Sequence, residues 1–409
     1  MKKEDIAAYI SAASILTTAA SAHARILHRE VIPPPGFSFR SLVLQVSALD
    51  DQTARDTVVT RFLQRVATSG TPLIEDSTVI FLYRGQARRV GIAADFNGWK
   101  PGTDTMMRVP GTDLFSLERS FRRGSRFEYK LVVDSAWILD PLNTQTAMGG
   151  YGANSEIWMP GYIPPPEIEF RPAIPHGTID TLIVRSRVLA RSHAVFVYLP
   201  PGYTTLRGRL PSVTVMDGGE YLSLGLMANV LDNLIADGRI APVIGIFVDP
   251  RTDIRDNATS TRMQDYTLNN RFVRFLTAEL RPRIMRKYRV APAPALSAIM
   301  GASLGGLIAT YAAFRQPGTF GLCAAQSPSY WWNDSAMIRL VRTHRRQHLR
   351  IYIDTGTMRD AAAECRVMKG VLQKKGYPFT YAEYPEGHNW VNWRARIDDI
   401  LTYFWGKPR

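Results

Sequence analysis

The spacing of apolar residues divides the chain into regions of different structure. Between residues 40 and 68, apolar side chains recur three or four positions apart with charged residues between them. The series includes Leu42, Val46, Val59 and Phe62. This periodicity is typical of amphipathic helices, and it predicts one or two helices within a segment at residues 37–75.

Short apolar runs separated by turns follow between residues 76 and 162. Several of the turns contain glycine, as at Asn97-Gly98 and Arg123-Gly124. The strand pattern is carried by residues 79–83, 90–94, 114–121, 127–133 and 157–159. Strands of this length and spacing predict a small immunoglobulin-like β-sandwich.

A proline-rich linker at residues 163–177 precedes a region of a third kind, residues 178–409. Apolar strands alternate there with amphipathic helices, of which residues 271–288 and 397–404 have the clearest pattern. The predicted strands are residues 181–189, 194–199, 213–216, 243–248, 322–325, 351–353 and 380–383. This alternation predicts an α/β domain with a mostly parallel sheet.

One motif in this region points to chemistry. Ser303 stands in Gly301-Ala-Ser-Leu-Gly305, with an apolar strand before it and an apolar helix after it. That context predicts a nucleophile elbow, a tight turn that exposes the serine hydroxyl at the edge of the sheet. The N–H of Leu304, at the start of the helix, is then placed to stabilise an oxyanion, and Gly218 is the predicted source of a second donor.

A serine nucleophile needs a base, and the base needs an orienting acid. His388 follows the last predicted strand, close to the C-terminus, where α/β-hydrolases carry their base. Two acids, Asp354 and Asp360, follow the preceding strand. We favour Asp360, because it lies in the loop beyond that strand and can approach the loop of His388. Asp354 lies at the strand end, where a turn-capping role is common.

Composition narrows the choice of ligand. The net charge is +14, and all of the excess lies in residues 171–409. A basic catalytic half favours a small, anionic ester as the partner. Nucleic acid is not expected, because no nucleic-acid-binding motif is present. The two cysteines, Cys323 and Cys365, form no metal-binding pattern, so neither a metal nor another cofactor is predicted and two buried thiols are expected.

The catalytic half resembles the enterochelin (ferric-enterobactin) esterase group of α/β-hydrolases. The similar segments are residues 195–203, 216–219, 248–250, 326–332, 354–357 and 387–390, together with the elbow. The resemblance implies an α/β-hydrolase fold and a Ser303–His388–Asp360 triad. Where the group often shows Gly-Gly-His-Asp, this chain has Glu386-Gly-His-Asn389.

The sandwich resembles the early-set glycogen-binding modules. The likeness covers residues 90–107, 127–130 and 140–143. It implies that Trp99, Lys130, Trp137 and Asn143 are the positions at which a sugar would be held. The alternative is that both tryptophans belong to a core or to an interface with the catalytic domain, as the sandwich of related esterases packs.

Three functions remain open from the sequence. The first is a siderophore-ester hydrolase, for which the substrate contacts are predicted at residues in loops near the sheet edge and in an aromatic cluster. These residues are Arg255, Arg262, Tyr330, Trp331, Trp332 and Arg394. The second is a feruloyl or acetyl-xylan esterase, which shares the fold. The third is a ligand-binding protein on an inactive hydrolase scaffold.

The first 36 residues allow two interpretations. Lys2 and Lys3 precede an uncharged run rich in small residues, and Ala20-Ser-Ala22 is similar to a cleavage site. These features predict either a weak secretory signal or an alanine-rich helix. A cleaved signal would place the protein in the periplasm or outside the cell, and an uncleaved segment in the cytoplasm. No other apolar run is long enough to span a bilayer.

Overall fold

The computed structural model describes residues 38–69, 72–253 and 255–406. The predicted signal-like segment lies outside these residues. Two helices come first, α1 (Phe39–Ser47) and α2 (Gln52–Ser69). The Ser38 hydroxyl accepts from the N–H of Ser41 and caps α1. The apolar stripes of both helices pack on one sheet of the sandwich, against Leu73, Ile80 and Leu82.

The sandwich that follows has two antiparallel sheets. The first has the strand order β1 (Leu73–Glu75), β2 (Thr78–Arg84), β5 (Leu114–Ser120), β4 (Met107–Arg108). The second has the order β3 (Val90–Ala94), β6 (Arg126–Val133), β9 (Gly152–Trp158), β8 (Thr146–Gly149), with β7 (Ala136–Ile138) paired to β6. Aromatic side chains, Phe81, Phe127 and Tyr129 among them, fill the space between the sheets.

The catalytic half is built on an eight-stranded sheet. Its order is β10 (Thr178–Ser186), β11 (Arg191–Leu199), β13 (Ile244–Val248), β12 (Ser212–Met216), β14 (Ser297–Ala302), β15 (Leu322–Gln326), β16 (Arg350–Gly356), β17 (Phe379–Tyr384). The pairs β10–β11 and β11–β13 are antiparallel, and the remaining pairs are parallel. The predicted mostly parallel sheet is confirmed.

Helices cover both faces of this sheet, and each face has its own apolar core. One face carries α5 (Arg262–Tyr266), α6 (Asn270–Arg274), α7 (Arg281–Lys287), α8 (Leu304–Arg315), α9 (Trp332–Thr343) and α10 (Ala362–Lys374). The other carries α3 (Gly218–Ser223), α4 (Met227–Ala236), α11 (Trp390–Arg394) and α12 (Ile397–Trp405). A π-helical turn, Phe275–Leu280, joins α6 to α7, so the single helix predicted over residues 271–288 is present with this insertion.

Two smaller sequence predictions can be compared with the fold. Cys323 and Cys365 are buried and not disulfide-bonded, as expected. The short strands β1, β4, β7 and β8 of the sandwich are not among the predicted strands. Within the described residues, no helix has the length and apolar character that a bilayer crossing requires.

Candidate active site

Ser303 lies between β14 and α8 in a strained turn. Its backbone has φ 58° and ψ −122°, a conformation that is rare for a residue with a side chain. A Cβ atom on Gly301 would lie 2.5 Å from the carbonyl carbon of Gly305, and one on Gly305 would lie 2.9 Å from a carboxylate oxygen of Asp217. Both positions therefore require glycine, and the predicted strand–turn–helix is present.

The turn is fixed by bonds to the next strand of the sheet. The Ser303 N–H donates to the carbonyl of Gln326, and the Ser303 Oγ lies 3.3 Å from the Oγ of Ser329. Leu304 is the first residue of α8, so its N–H has no acceptor within the helix and is oriented toward the turn. The helix N-terminus adds a partial positive charge next to the serine.

His388 is paired with Asp360. Its Nδ1 lies 2.6 Å from Oδ1 of that carboxylate, which is completely buried, whereas the histidine side chain is 39% exposed. The Trp393 ring meets the imidazole edge to face, with ring centroids 4.9 Å apart. The carboxylate thus fixes one imidazole nitrogen and leaves Nε2 directed away from it.

Both oxygens of the Asp360 carboxylate accept hydrogen bonds. Oδ2 accepts from the Ser327 hydroxyl and from the Gly356 N–H, each at 2.6 Å, and Oδ1 also accepts from the Ala361 N–H at 2.7 Å. Burial alone would raise the pKa of Asp360, but the hydrogen bonds and the His388 imidazole hold this pKa below its usual value. Asp360 is therefore an ionised acid at neutral pH.

Asp354, the alternative acid, has a different environment. It is buried at the end of β16, where Oδ2 lies 3.2 Å from the Nε2 of Gln326 and Oδ1 has no hydrogen-bond partner in the part of the chain that the structure describes. Burial raises the pKa of Asp354 to about 8. It is mainly protonated at neutral pH, and the structure brings Asp360 rather than Asp354 into hydrogen-bond contact with His388.

Ser303 and His388 open into a cavity of about 710 Å³. The catalytic domain forms one wall, and the sandwich forms the other with Trp99, Lys130 and Trp137. These are three of the four positions at which the early-set resemblance implies sugar contacts. The fourth, Asn143, is buried and donates to the Tyr129 hydroxyl and to the Glu156 carbonyl, so it is part of the sandwich interior.

The charges of the cavity wall do not favour an anion. Five carboxylates and three basic side chains line it, apart from His388. The guanidinium of Arg262 binds Asp217 through two bonds of 2.8 and 3.0 Å, and that of Arg251 binds Asp249 at 2.6 and 2.8 Å. The positive charge of the catalytic half is therefore largely neutralised where it reaches the cavity.

Two of these carboxyl groups have strongly shifted pKa values. Burial, followed by the charge of Asp217, raises the pKa of Glu220 to about 7. Burial, followed by the charge of Glu128, raises the pKa of Asp95 to about 7. Both groups take up protons near neutral pH.

Comparison with known proteins agrees with this geometry. The Esterase family model ("Putative esterase") matches residues 186–404, more than half of the chain. The chain belongs to the esterase family. It is thus a carboxylic ester hydrolase with an α/β-hydrolase catalytic domain.

Relatives that resemble the esterase over most of its length include an iron(III) enterobactin esterase of Dickeya dadantii. That protein is 25% identical over 405 residues, which cover 82% of this chain and 90% of the relative. Solved structures that share the fold include those of two enterobactin esterases. The ferric enterobactin esterase of Salmonella typhimurium is 20% identical with a TM-score of 0.68, and covers 81% of this chain and 95% of its own. The enterobactin esterase of Shigella flexneri is 21% identical with a TM-score of 0.67, and covers 80% and 92%.

Several residues predicted to bind substrate do not reach the cavity of this esterase. Tyr330 is fully buried and bonds Thr310 through its hydroxyl, so its ring belongs to the core. Trp331 is exposed outside the cavity, and Trp332 packs against the catalytic core. The commoner role of such aromatics, core packing, prevails for two of the three.

The predicted arginines divide in a similar way. Arg262 lines the cavity. Arg255 binds Asp253 on the surface, and neither residue is part of the cavity wall. Arg394 is half-buried, and burial and the neighbouring Arg126 lower its pKa. Arg394 is not among the residues that line the cavity, so the structure does not bring it together with Ser303 and His388.

The predicted oxyanion donor Gly218 also has another local role. A Cβ on Gly218 would overlap the backbone of Phe247 and Val248, so this glycine allows α3 to pack on β13. Its neighbours Asp217 and Glu220, rather than Gly218, line the cavity.

Sequence reasoning missed the residues that join the two domains beside the cavity, two of which also line it. Among these are Asp95, Arg126 and Asn389. One signal was available: Arg126, Glu128 and Lys130 place three charged residues in the strand β6, and the first two are buried. A buried charge requires a partner, although the sequence alone does not reveal which one.

Proposed function

We propose that the esterase acts through a Ser303–His388–Asp360 triad. The observation that best supports this proposal is that the imidazole bound to Asp360 and the turn at Ser303 both line one cavity. Nε2 of His388 takes the hydroxyl proton as Ser303 Oγ attacks the ester carbonyl carbon. The imidazolium then returns this proton to the departing alkoxide. Water, activated by the same nitrogen, hydrolyses the acyl-enzyme and restores Ser303.

Asp360 stabilises the imidazolium while it lasts and fixes the tautomer that leaves Nε2 as the acceptor. The Leu304 N–H, at the positive end of α8, is the proposed donor to the oxyanion. The strain at Ser303 contributes as well, since it holds Oγ clear of the backbone before substrate arrives.

We further propose that the substrate is a siderophore-type ester. The supporting facts are the likeness to enterobactin esterases over most of the chain and a cavity large enough for a multi-ring ester. A second candidate, a feruloyl or acetyl-xylan ester, is favoured by Trp99 and Trp137, two indole side chains of the sandwich that line the cavity.

One comparison of substrates separates these candidates. Purified esterase is incubated with iron-free enterobactin, ferric enterobactin and feruloylated xylo-oligosaccharides, and products are followed by chromatography. We expect ring opening of enterobactin and little release of ferulate. The opposite order would assign the enzyme to the polysaccharide esterases. No turnover of any of the three, or of p-nitrophenyl butyrate, would indicate a binding protein.

The charges of the cavity predict which form of the siderophore is preferred. Since Arg251 and Arg262 are already paired, the negatively charged ferric complex gains little attraction from them. We expect kcat/KM for iron-free enterobactin to equal or exceed that for the ferric complex. We also expect this kcat/KM to change less than about twofold with salt, because charges that are already paired leave little electrostatic field to steer a substrate. A steep loss of ferric-complex hydrolysis with rising salt would instead show that the positive half steers the anion.

A further inference from the structure

The sandwich binds a side chain of the loop that carries His388. The Nδ2 of Asn389 donates to Oδ2 of Asp95 at 2.8 Å, and the Oδ1 of Asn389 accepts from Nη1 of Arg126, also at 2.8 Å. Asn389 directly follows His388. Two hydrogen bonds thus join the sandwich to the residue next to the proposed base.

On the sandwich side, Arg126 and Asp95 are both held by contacts within the sandwich itself. Arg126 is fully buried and pairs with Glu128 at 2.9 Å and Glu156 at 2.6 Å. Asp95 accepts from the indole N–H of Trp99 at 3.1 Å and from the N–H of Glu128 at 2.8 Å. Side chains with so many bonds have little freedom, so they form a rigid support.

On the loop side, further contacts flank His388. The Arg126 N–H donates to the carbonyl of Pro385 at 3.2 Å. Gly387 packs so closely on Asp95 that any Cβ there would overlap its carboxylate. The Oδ1 of Asn389 also accepts from the N–H of Asn392 at 3.1 Å and caps α11.

We propose that the sandwich is a positioning element of the catalytic centre, in which Asp95 and Arg126 hold Asn389 and thereby fix His388 with respect to Ser303. This proposal rests on the proposed function, because it needs His388 as the base. A loop without such support would sample many positions. A displacement of about 1 Å at a catalytic group can lower the rate on the order of 10²-fold.

The identity of residue 389 supports this assignment. The amide of Asn389 donates to a carboxylate through Nδ2 and accepts from a guanidinium through Oδ1, whereas a carboxylate of the same size could only accept. An aspartate at this position would keep the bond from Arg126 and the cap of α11, but it would place two carboxyl groups in contact at Asp95. The asparagine of this chain is therefore matched to the acid that the sandwich presents.

The first test removes the two bonds without adding a charge. Asn389→Ser keeps a hydroxyl that can cap α11 and loses the contacts to Asp95 and Arg126. With p-nitrophenyl butyrate, we expect kcat to fall by roughly 10- to 100-fold while KM stays within about twofold. Asn233→Asp is the matched control, since Asn233 is a buried amide that donates to the carbonyls of Glu167 and Glu169. It should lose stability and keep its kcat.

The second test places a second carboxylate next to Asp95 and then removes the repulsion between the two. Asn389→Asp should lose more activity at pH 8 than at pH 6, because a proton shared between residues 95 and 389 is lost as pH rises. Glu128 and Arg126 also face Asp95, and both remain in every variant. Adding Asp95→Asn to Asn389→Asp should restore much of the kcat at pH 8, since a carboxamide can then donate to the new carboxylate.

The outcomes separate the two proposals. A wild-type protein that does not hydrolyse the ester overturns both of them. An active wild type with a wild-type kcat in folded Asn389→Ser overturns the positioning role alone. If Asn389→Asp does not fold, the Asn389→Ser result decides. The absence of rescue at pH 8, with all variants folded, also contradicts the match between Asp95 and Asn389.

Discussion

Ser303→Ala should reduce kcat by roughly 10⁴- to 10⁶-fold, because the acyl-enzyme can no longer form. Substrate should still bind, since the cavity walls are unchanged and alanine leaves only a small gap. The measurement is hydrolysis of enterobactin and of p-nitrophenyl butyrate, with binding of enterobactin followed by the fluorescence of the tryptophans, four of which line the cavity.

Ser329→Ala is the control for this substitution. Ser329 Oγ lies 3.3 Å from Ser303 Oγ, so its removal tests whether a neighbouring hydroxyl carries the reaction. We expect a loss of less than about tenfold there, because only one weak hydrogen bond disappears. A nearly active Ser303→Ala enzyme together with an inactive Ser329→Ala enzyme would reverse the assignment.

Asp360→Asn should reduce kcat on the order of 10²- to 10⁴-fold. The amide can donate to Nδ1 of His388, which would move the imidazole proton to Nε2 and remove the base. Asp354→Asn should remain active, because the native Asp354 is mainly a neutral acid at pH 7 and an amide has the same shape. Kinetics of both variants at pH 7 test this difference.

The carboxyl groups of Asp360 and Asp354 should make the stability of the wild-type protein depend on pH in opposite ways. The folded pKa of Asp360 is lowered, so its stabilisation is present above the unfolded value near 3.8 and is lost as pH falls through the folded value. The folded pKa of Asp354 is raised to about 8, so its ionisation destabilises the fold as pH rises from the unfolded value toward 8. Asp354→Asn should therefore melt at an equal or higher temperature than wild type at pH 8. An inactive but folded Asp354→Asn enzyme would contradict the choice of Asp360.

The local elements of the site could be predicted because their causes are local. Gly301 and Gly305 are required by the turn itself, and the apolar residues after Ser303 form a helix wherever the strand ends. The position of His388 follows from strand order in an α/β-hydrolase. These features depend on short-range sterics and on periodicity, which a sequence displays directly.

The cavity could not be predicted in the same way, because its walls come from residues far apart in sequence. The net charge suggested an anion site, yet Asp217 and Asp249 neutralise the two arginines that reach the cavity. The aromatic cluster at Tyr330 suggested stacking on substrate rings, yet the Tyr330 ring is buried in the core. The bond between Arg126 and Asn389 spans 263 positions, and no pattern along the chain indicates it.

The most direct test of the central claim is covalent labelling with an organophosphonate, followed by peptide mass spectrometry. We predict one adduct, on Ser303, which forms at a rate that falls strongly in His388→Ala. Labelling of Ser303 by the phosphonate requires both the exposed hydroxyl and its base. An adduct on another serine, or full ester hydrolysis by a protein that the phosphonate leaves unlabelled, would contradict the claim that Ser303 is the nucleophile.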